Sequence, residues 1–430
     1  MKNYDLIVAG GGLAGAAAAF AAARDGLSVL IVEKAASLGG ALSGGLVYPF
    51  CPFYTETDGK LTKLVNAGLF SEMIRRHNEK IKGHFPPAEP NIHQADGDIR
   101  RFKTEYFKMV LDDMAEEFGV DILYHTMIHS VEYEGRTIKA VKASTKAGEL
   151  TLSAKYFVDA TGDGEVMYLA GCDCLLGREG DNLCQPMTTC FRVCNIDLPL
   201  YKKELPELQK LYKEARASGE ITNPRENILQ FYGIGEGIVH YNTTRVVMLD
   251  PIDPIALSRA EGIARRQVYE IFDFLKKNSR AYKDAVLISV ASEIGVRESR
   301  KLQGVHVITE EELFACTRFE DSIALGNYDV DIHSPDGTGT RIRKFDRDKY
   351  YTIPYRSLLP KEYDNLLVAG RCISTTHEAQ SSVRIMPICV SIGEAAGVAV
   401  AEAARSGVGV HGVDIKNVQR TLTGYGAEIY

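Results

Sequence analysis

Residues 4–40 read YDLIVAGGGLAGAAAAFAAARDGLSVLIVEKAASLGG, and the order of patterns within this stretch decides the fold. Its first six residues form an apolar run of strand type, helix-forming residues extend from Leu13 to Ala23, and LSVLIVE at 27–33 is a second apolar run. Two buried strands joined by a helix of this length predict a right-handed βαβ unit with a parallel sheet. The chain therefore opens with the first unit of an α/β fold.

Three glycines follow the first predicted strand in the spacing G-x-G-x-x-G, at Gly10, Gly12 and Gly15. In a βαβ unit the first allows a tight turn, the second lets the backbone approach a pyrophosphate, and the third lets helix and strand pack closely. Glu33 ends the second strand 18 residues after Gly15, where a carboxylate accepts hydrogen bonds from ribose hydroxyl groups. These features predict a dinucleotide site. The alternative is a glycine-rich turn in an unrelated α/β protein.

Later segments of the chain resemble parts of known flavoproteins. The glycine-rich ASLGGALSGG at 36–45, AKYFVDATGDGEVMYLAG at 154–171 and the strand, turn and helix at 363–407 resemble FAD-contacting segments of the glutathione-reductase-like class. VRESRKLQG at 296–304 and HYNTTR at 240–245 are similar to segments of the FAD-dependent oxidoreductase family. The similarity to fumarate-reductase flavoproteins is more distant. Together these segments extend the resemblance over nearly the whole chain.

The resemblance implies that FAD is the cofactor and that four stretches of the chain hold it. At the last of these, many flavoproteins have Gly-Asp where this chain has Gly370-Arg371, which implies a cation beside the ribityl chain or the pyrophosphate. The predicted cofactor-binding residues are Gly10, Gly12, Leu13, Ala14, Gly15, Glu33, Lys34, Gly39, Gly40, Ala41, Ser43, Ala160, Thr161, Gly162, Asp163, Gly370, Arg371 and Met386.

The predicted fold class is α/β, with a discontinuous Rossmann-like FAD-binding domain and an inserted α+β substrate or cap domain. The FAD-binding domain combines a parallel sheet with a three-stranded β-meander between residues 120 and 161. We expect its first part at 1–175, the insert at 176–350 and its second part at 351–430. Residues 51–103 contain a loop-like stretch and are a candidate flap. Helices are expected at 104–119, 199–218 and 254–278, and strands at GIVHYN and TRVVMLD.

Composition and charge limit the classes of partner. The 430-residue chain has a net charge of −7, which argues against a general nucleic-acid binder or an anionic membrane surface as the main partner. The apolar stretch at 385–404 contains Glu394 and Glu402 and predicts a buried helix instead of an anchor. No secretory pattern precedes the first strand, so we expect a cytoplasmic protein whose nine cysteines are free thiols.

Arg384 and His377 are the first candidates for catalysis. Arg384 stands just before Pro387, a residue typical of the first turn of a helix, and that helix would point its N-terminus at the flavin. Arg384 could then pair with a substrate carboxylate, or it could only hold its own loop. His377 lies seven residues earlier and could donate a proton, although most loop histidines do not.

Further candidates lie in the insert, where His240 and His333 could face the substrate. Arg297 and Arg300 share the segment VRESR and could clamp a carboxylate or phosphate, or form a salt-bridge network with Glu293 and Glu298. We expect one arginine in each role, with Arg297 as the substrate contact.

Five cysteines fall between 172 and 194, at Cys172, Cys174, Cys184, Cys190 and Cys194. Their spacing matches no zinc or ferredoxin pattern, so we predict no metal site and expect buried thiols. Cys51 follows the second glycine loop and could lie near the flavin; a covalent link there is an open alternative.

These features predict an FAD-dependent oxidoreductase that exchanges a hydride between flavin N5 and a small, anionic organic substrate. The alternative is an electron-transfer flavoprotein subunit that works with an iron–sulfur partner. Only one G-x-G-x-x-G is evident, so reduction could come from the substrate or from a partner protein. A homo-oligomer is also open.

Overall fold

The computed structural model describes residues 3–85 and 101–430. Its helices are α1 Leu13–Arg24, α2 Leu69–Ile81, α3 Thr104–Phe118, α4 Glu165–Leu169, α5 Leu198–Ser218, α6 Pro254–Asn278, α7 Glu310–Phe314, α8 His377–Val383, α9 Met386–Ser406 and α10 Ile415–Gly424. Its strands are β1 Tyr4–Ala9, β2 Val29–Val32, β3 Tyr54–Thr57, β4 Lys60–Leu64, β5 Asp121–Leu123, β6 Met127–Glu134, β7 Thr137–Thr145, β8 Gly148–Asp159, β9 Cys174–Leu176, β10 Phe191–Cys194, β11 Gln230–Phe231, β12 Val239–Tyr241, β13 Val286–Val290, β14 Arg300–Leu302, β15 Ser322–Gly326, β16 Val330–His333, β17 Thr340–Arg343, β18 Tyr351–Pro354 and β19 Leu366–Val368.

The main sheet combines a parallel core with an antiparallel meander. Strands β5, β2, β1, β8 and β19 run parallel, with β1 between β2 and β8. β8 is 12 residues long, and its carboxyl half pairs with β1 and β19 while its amino half pairs antiparallel with β7. β6 then extends the meander. The α/β fold class predicted from the opening stretch is confirmed.

Helices α1 and α9 pack closely over the parallel sheet because small residues line both. All four residues of β2 are buried, which is typical of a strand covered on both faces. A Cβ added at Gly393 would lie 2.0 Å from the carbonyl oxygen of Ala14, and one at Gly397 would lie 2.2 Å from that of Ala18. Only glycine on α9 allows this approach, which brings the N-termini of α1 and α9 to the same side of the sheet.

α9 is the predicted buried helix. It is long and apolar enough to cross a membrane by length and composition, but 89% of its most apolar window is buried inside the protein. Glu394 is fully buried within it, accepting hydrogen bonds from the backbone N–H of Leu69 at 3.0 Å and from Arg24 at 3.2 Å. α9 is therefore a core helix.

A second sheet and a second core lie in the middle of the chain. Strands β11, β12, β10 and β13 form an antiparallel sheet in that order. Together with α5 and α6 it encloses a separate apolar cluster that runs from Phe191 to Val290. Ile308, Ile323 and Ile353 belong instead to the cluster that contains α1 and α9. The predicted boundaries at 176 and 350 stay predictions.

Local predictions differ from the structure at three places. TRVVMLD forms no strand; Val246 makes only an isolated bridge to Met187. The segment around His377, expected as a loop, contains the short helix α8. Within the candidate flap at 51–103, Phe70 and other apolar side chains of β3 and α2 lie in the main core, and residues 86–100 lie outside the described part of the chain.

Candidate functional site

The first glycine loop joins the end of β1 to the start of α1. A Cβ at Gly10 would lie 2.6 Å from the carbonyl oxygen of Ala160, and one at Gly15 would lie 1.9 Å from that of Gly10. The protein's own packing therefore requires these two glycines. Gly12 differs, since its added Cβ would have no neighbour nearer than Gly40 at 4.0 Å. The space beside Gly12, at the uncapped N-terminus of α1, is open to a pyrophosphate, which the backbone N–H groups of Leu13 and Ala14 would bind.

Glu33 follows the end of β2 beside this loop. Its carboxylate accepts hydrogen bonds from the backbone N–H of Gly11 at 2.5 Å and of Ala35 at 2.6 Å, and the residue is buried. Lys34 is half-exposed, and its ammonium lies 3.8 Å from Glu165. The acid predicted to bind ribose therefore lies at the edge of the crevice and is already held in place by backbone donors.

The second glycine loop lies directly against the first. The backbone N–H of Gly39 donates to the carbonyl of Gly11 at 2.9 Å. The Ser43 hydroxyl donates to the carbonyl of Gly40 at 3.3 Å, and Ala41 is exposed. The two loops thus form one continuous backbone surface at the carboxyl end of β1.

The last two predicted cofactor segments meet at an ion pair. Arg371 donates to Asp163 at 2.6 Å and to the Ser299 hydroxyl at 3.0 Å, and Ser299 donates to Asp163 at 2.6 Å. Burial acts to raise the pKa of Asp163, but Arg371, Ser299 and Lys34 outweigh it and hold that pKa below its usual value. Arg371 is therefore not the isolated cation that the sequence implied, because Asp163 balances its charge.

This ion pair completes a crevice at the carboxyl ends of the parallel strands. Thr161 donates from its backbone and its hydroxyl to Asp159 at the end of β8, and Gly162 leads to Asp163. Gly370 begins a 3₁₀ turn after β19, where an added Cβ would lie 3.1 Å from Cβ of Ala14. Ligands of open α/β sheets bind in this kind of crevice.

The last cofactor candidate begins the core helix. Met386 is the first residue of α9, and Pro387 is the second, within the first turn as expected. The helix start has no side-chain cap, so its backbone N–H groups and dipole present positive charge.

Four arginines lie close enough together for their charges to interact. The pKa of Arg297 falls to about 9, because burial removes its hydration and Arg384, Arg225 and Arg245 repel its charge, while Asp331 acts in the opposite direction. Arg297 donates to the Pro186 carbonyl at 2.7 Å and to the Thr188 hydroxyl at 2.5 Å. The group of Arg225, Arg245, Arg297 and Arg384 is called the arginine cluster below.

The other members of the arginine cluster differ in how far hydrogen-bond partners and carboxylates balance their charge. Arg245 is 1% exposed and donates to Glu226 at 2.8 Å and to Nδ1 of His333 at 3.1 Å. Arg225 donates only weakly, to Asn227 at 3.3 Å. Arg384 ends α8, and its Nε is buried without a hydrogen-bond partner. Positive charge in the arginine cluster therefore exceeds the negative charge placed against it.

Asp331 is the carboxylate at the centre of the arginine cluster. One of its oxygens lies 3.4 Å from Nε2 of His333 and 3.4 Å from the Tyr328 hydroxyl. Burial acts to raise the pKa of Asp331, but His333, Arg384 and Arg297 outweigh it and hold that pKa far below the usual range. Asp331 thus remains a carboxylate.

Two of the histidines predicted as catalytic candidates, His333 and His377, already contact charged side chains of the protein. His333 is buried, and burial together with Arg297 lowers its pKa to about 3, so the ring is neutral. His377 is the first residue of α8, and its Nδ1 lies 2.8 Å from Glu298. Glu298 is fully buried and also accepts from Lys301 at 2.5 Å.

The predicted salt bridge of a VRESR arginine with Glu298 is wrong, because Lys301 and His377 pair with that carboxylate. Arg300 instead lies over the Tyr168 ring at 3.9 Å.

His240 lies away from these partners, in β12. It has no exposed surface, neither ring nitrogen has a hydrogen-bond partner, and burial together with Arg192 lowers its pKa to about 3. It is opposite Arg192 in the β10–β12 register.

The cysteines are free thiols. Burial raises the pKa of Cys184 and of Cys190 to about 12, so both keep their protons. Across residues 3–85 and 101–430, three or more His, Cys, Asp or Glu side chains never gather in a way that could hold a metal. Cys51 is half-buried and acts, together with burial, to raise the pKa of Tyr328 well above its usual value.

The sequence reasoning missed Arg225, Arg245, Asp331, Tyr328 and Ser299. A usable signal existed for two of them, because Arg245 ends the quoted HYNTTR segment and Ser299 lies within VRESR. Of the other three, Arg225 lies in a loop, whereas Asp331 lies in β16 with His333 and Tyr328 just precedes that strand; none of them carries a local pattern.

Solved structures of other proteins resemble this chain at low sequence identity. No curated protein matches the chain significantly. Among solved structures, the flavin-dependent brominase Bmp2 is 13% identical over 98% of this chain and 83% of its own, with a TM-score of 0.49. A geranylgeranyl bacteriochlorophyll reductase-like protein from Thermoplasma acidophilum is 14% identical over 100% of this chain and 85% of its own, with a TM-score of 0.47.

The decisive match is to a family profile described as FAD dependent oxidoreductase, which covers residues 5–422. FAD is therefore the cofactor, and the open space at Gly12 beside the N-terminus of α1 fits its pyrophosphate. The chain belongs to the family of FAD-dependent oxidoreductases.

Proposed function

We propose that this oxidoreductase exchanges a hydride between flavin N5 and a small, anionic organic substrate whose carboxylate is bound by Arg297 and Arg384. The arginine cluster is the observation that supports this proposal. It gathers four guanidinium groups around one central carboxylate, Asp331, with Glu226 paired to Arg245 at the margin. A substrate anion would supply the missing negative charge.

The chemistry of arginine favours a carboxylate in this position. A guanidinium presents parallel N–H donors that match the two oxygens of a carboxylate, and charge-assisted pairs of this kind are about twice as strong as neutral hydrogen bonds. Arg384 has a buried Nε without a partner. Because an unpaired buried donor is costly, a ligand oxygen at Arg384 would remove an existing penalty.

The remaining groups of the arginine cluster position the substrate and hold protons. Bound FAD supplies the hydride chemistry. His333 is neutral and engaged by Arg245 and Asp331, so it orients its neighbours instead of titrating. Tyr328 keeps its hydroxyl proton beside Asp331, because the pKa of Tyr328 is well above its usual value. Tyr328 is thus the hydroxyl donor of this group near neutral pH.

The wider setting of the reaction follows from charge and composition. We propose that the enzyme works in the cytoplasm on a small molecule and not on nucleic acid or at a membrane, since its net charge is −7. Reduction of the flavin by the substrate or by a partner protein, and assembly into a homo-oligomer, are further parts of this proposal.

An anaerobic screen of organic acids tests the proposed function. FAD-loaded protein is mixed with hydroxy acids to detect bleaching of the flavin, and reduced protein is mixed with keto and unsaturated acids to detect reoxidation. We expect at least one acid to react, while its amide or ester analogue does not. Equal reaction with the acid and its neutral analogue would contradict the anionic substrate.

A further inference from the structure

A second group of positive charges lies at the start of α3, outside the arginine cluster. Arg192 belongs to β10, is 8% exposed, and donates one hydrogen bond to the Thr104 hydroxyl at 2.5 Å. Its Nε is buried without a partner. Within the described residues, Arg192 forms no ion pair with a carboxylate; burial lowers its pKa, and the more distant charge of Glu105 does not offset this. An unpaired buried guanidinium is costly, which indicates that an anion is missing here.

Lys103 adds a second cation at the same place. It is the N-cap residue of α3, and its ammonium donates to the backbone carbonyls of Gly233, at 2.8 Å, and Ile234. Burial, Arg101 and Arg192 together lower its pKa to about 8. The helix start has no side-chain cap, so the dipole of α3 adds to the positive potential.

His240 supplies unused hydrogen-bonding groups beside Arg192. The two residues are opposite each other on neighbouring strands, so their side chains share one face of the sheet. The ring of His240 packs 5.4 Å from Tyr48 and 6.2 Å from Phe231, with both nitrogens buried and unpartnered. A neutral imidazole offers one N–H donor and one acceptor.

We propose that Arg192, Lys103 and His240 form a second anion-binding subsite, which takes a carboxylate or a phosphate group. Cys190 lies near both this subsite and the arginine cluster, since the charges of Arg297 and Arg192 both act to lower the pKa of its thiol. The anion is either a second charged group of the substrate or a free inorganic anion. Only the first of these sources rests on the proposed function.

Inorganic phosphate is the probe for this subsite, and the protein is used in its FAD-loaded form. We expect phosphate to raise the Tm of the wild type above that in chloride of equal ionic strength. Arg192→Met should weaken phosphate binding by about 10-fold to 100-fold, the range for one charge-assisted contact. Its Tm without phosphate should be equal or higher, because an unpaired buried charge has been removed. Lys103→Met should also weaken binding, and the exposed Lys139→Met serves as a control.

Three results would overturn the subsite. They are a wild type whose Tm does not respond to phosphate, phosphate affinities of Arg192→Met and Lys103→Met that both equal that of the wild type, and a loss of phosphate binding in Arg384→Met alone. The last result would place phosphate in the arginine cluster and leave the proposed function intact.

Competition between phosphate and an organic acid identifies the source of the anion. We expect some organic acids to perturb the flavin spectrum. If both Arg192→Met and Arg384→Met weaken the binding of such an acid, one substrate spans the subsite and the arginine cluster. If phosphate and that acid bind together without competition, the subsite takes a free anion. If phosphate binding depends on Arg192 while no organic acid affects the flavin, the subsite stands and the proposed function fails.

Discussion

Arg245 donates a hydrogen bond to Nδ1 of His333 at 3.1 Å, and this contact fixes the proton of His333 on Nε2. A guanidinium is only a donor, so Nδ1 must be the acceptor. Nε2 then faces Asp331 at 3.4 Å. His333, which the sequence suggested as a proton donor, is therefore a neutral side chain that lies between the Arg245 guanidinium and the Asp331 carboxylate.

The first prediction concerns the protonation of His333. Because burial and Arg297 lower its pKa to about 3, the ring should stay neutral from pH 5 to pH 8. Nitrogen NMR of histidine-labelled protein should show one Nε2–H tautomer that does not titrate, identified by its absence in His333→Gln. A His333 signal that titrates near pH 6.5 would refute the assignment.

The second prediction separates two glycines of the first loop. Gly15→Ala should destabilise even the FAD-free protein, because the new Cβ would lie 1.9 Å from the Gly10 carbonyl oxygen. Gly12→Ala should leave the stability of the FAD-free protein nearly unchanged and weaken FAD binding by about 10-fold or more, because its Cβ enters the space for the pyrophosphate. Urea unfolding and fluorescence titration with FAD measure the two effects. Equal FAD affinity in Gly12→Ala and the wild type would show that the pyrophosphate does not bind beside Gly12.

The third prediction concerns the ion pair of Asp163 and Arg371. Arg371→Met should weaken FAD binding more than the double variant Asp163→Asn/Arg371→Met, since the single change leaves a carboxylate facing the anionic cofactor. A double-mutant cycle of FAD affinities should give a coupling of about 1–3 kcal/mol. Additive effects would show that the pair does not act as a unit toward FAD.

The fourth prediction concerns pH and Glu394. Although Arg24 pairs with it, burial has the larger effect and raises the pKa of Glu394 from 4.5 to about 7. Its folded pKa thus exceeds the unfolded one, so its contribution to stability is fully present below about pH 4.5 and is lost as the pH rises through 7.

In Glu394→Gln this loss should be absent. The difference in free energy of unfolding between variant and wild type should shift by about 3 kcal/mol between pH 4.5 and pH 7.5, in favour of the variant. Urea unfolding across this range measures it. A difference that is constant with pH would show that Glu394 does not titrate here.

The sequence predicted features that depend on local patterns. The G-x-G-x-x-G loop, its flanking strands and the long helices α5 and α6 follow from periodicity and turn residues close together in the chain. Helix α8 was missed because its start depends on Thr376, whose hydroxyl accepts the N–H of Ala379, and the stretch between them carries no apolar periodicity. TRVVMLD looked like a strand, but its Thr244 bonds to Thr189 through its side chain.

The candidate site was harder to predict because its charges come from distant parts of the chain. Arg225 and Asp331 are separated by more than a hundred residues, and neither lies in a recognisable motif. Hydrogen bonds from Arg245 to Glu226 and to His333 link the two parts of the chain from which they come. The sequence also showed Arg371 as a lone cation, because its partner Asp163 comes from another segment.

The most direct test of the account is a titration of the FAD-loaded protein with small dicarboxylates and monocarboxylates, followed by the visible spectrum of the flavin. We predict a saturable spectral change in the wild type and in the exposed control Arg280→Gln. In Arg384→Met, the apparent affinity should fall by about 10-fold or more. Equal affinities in Arg384→Met and the wild type, or no spectral change with any acid, would contradict the claim that the arginine cluster binds the substrate beside the flavin.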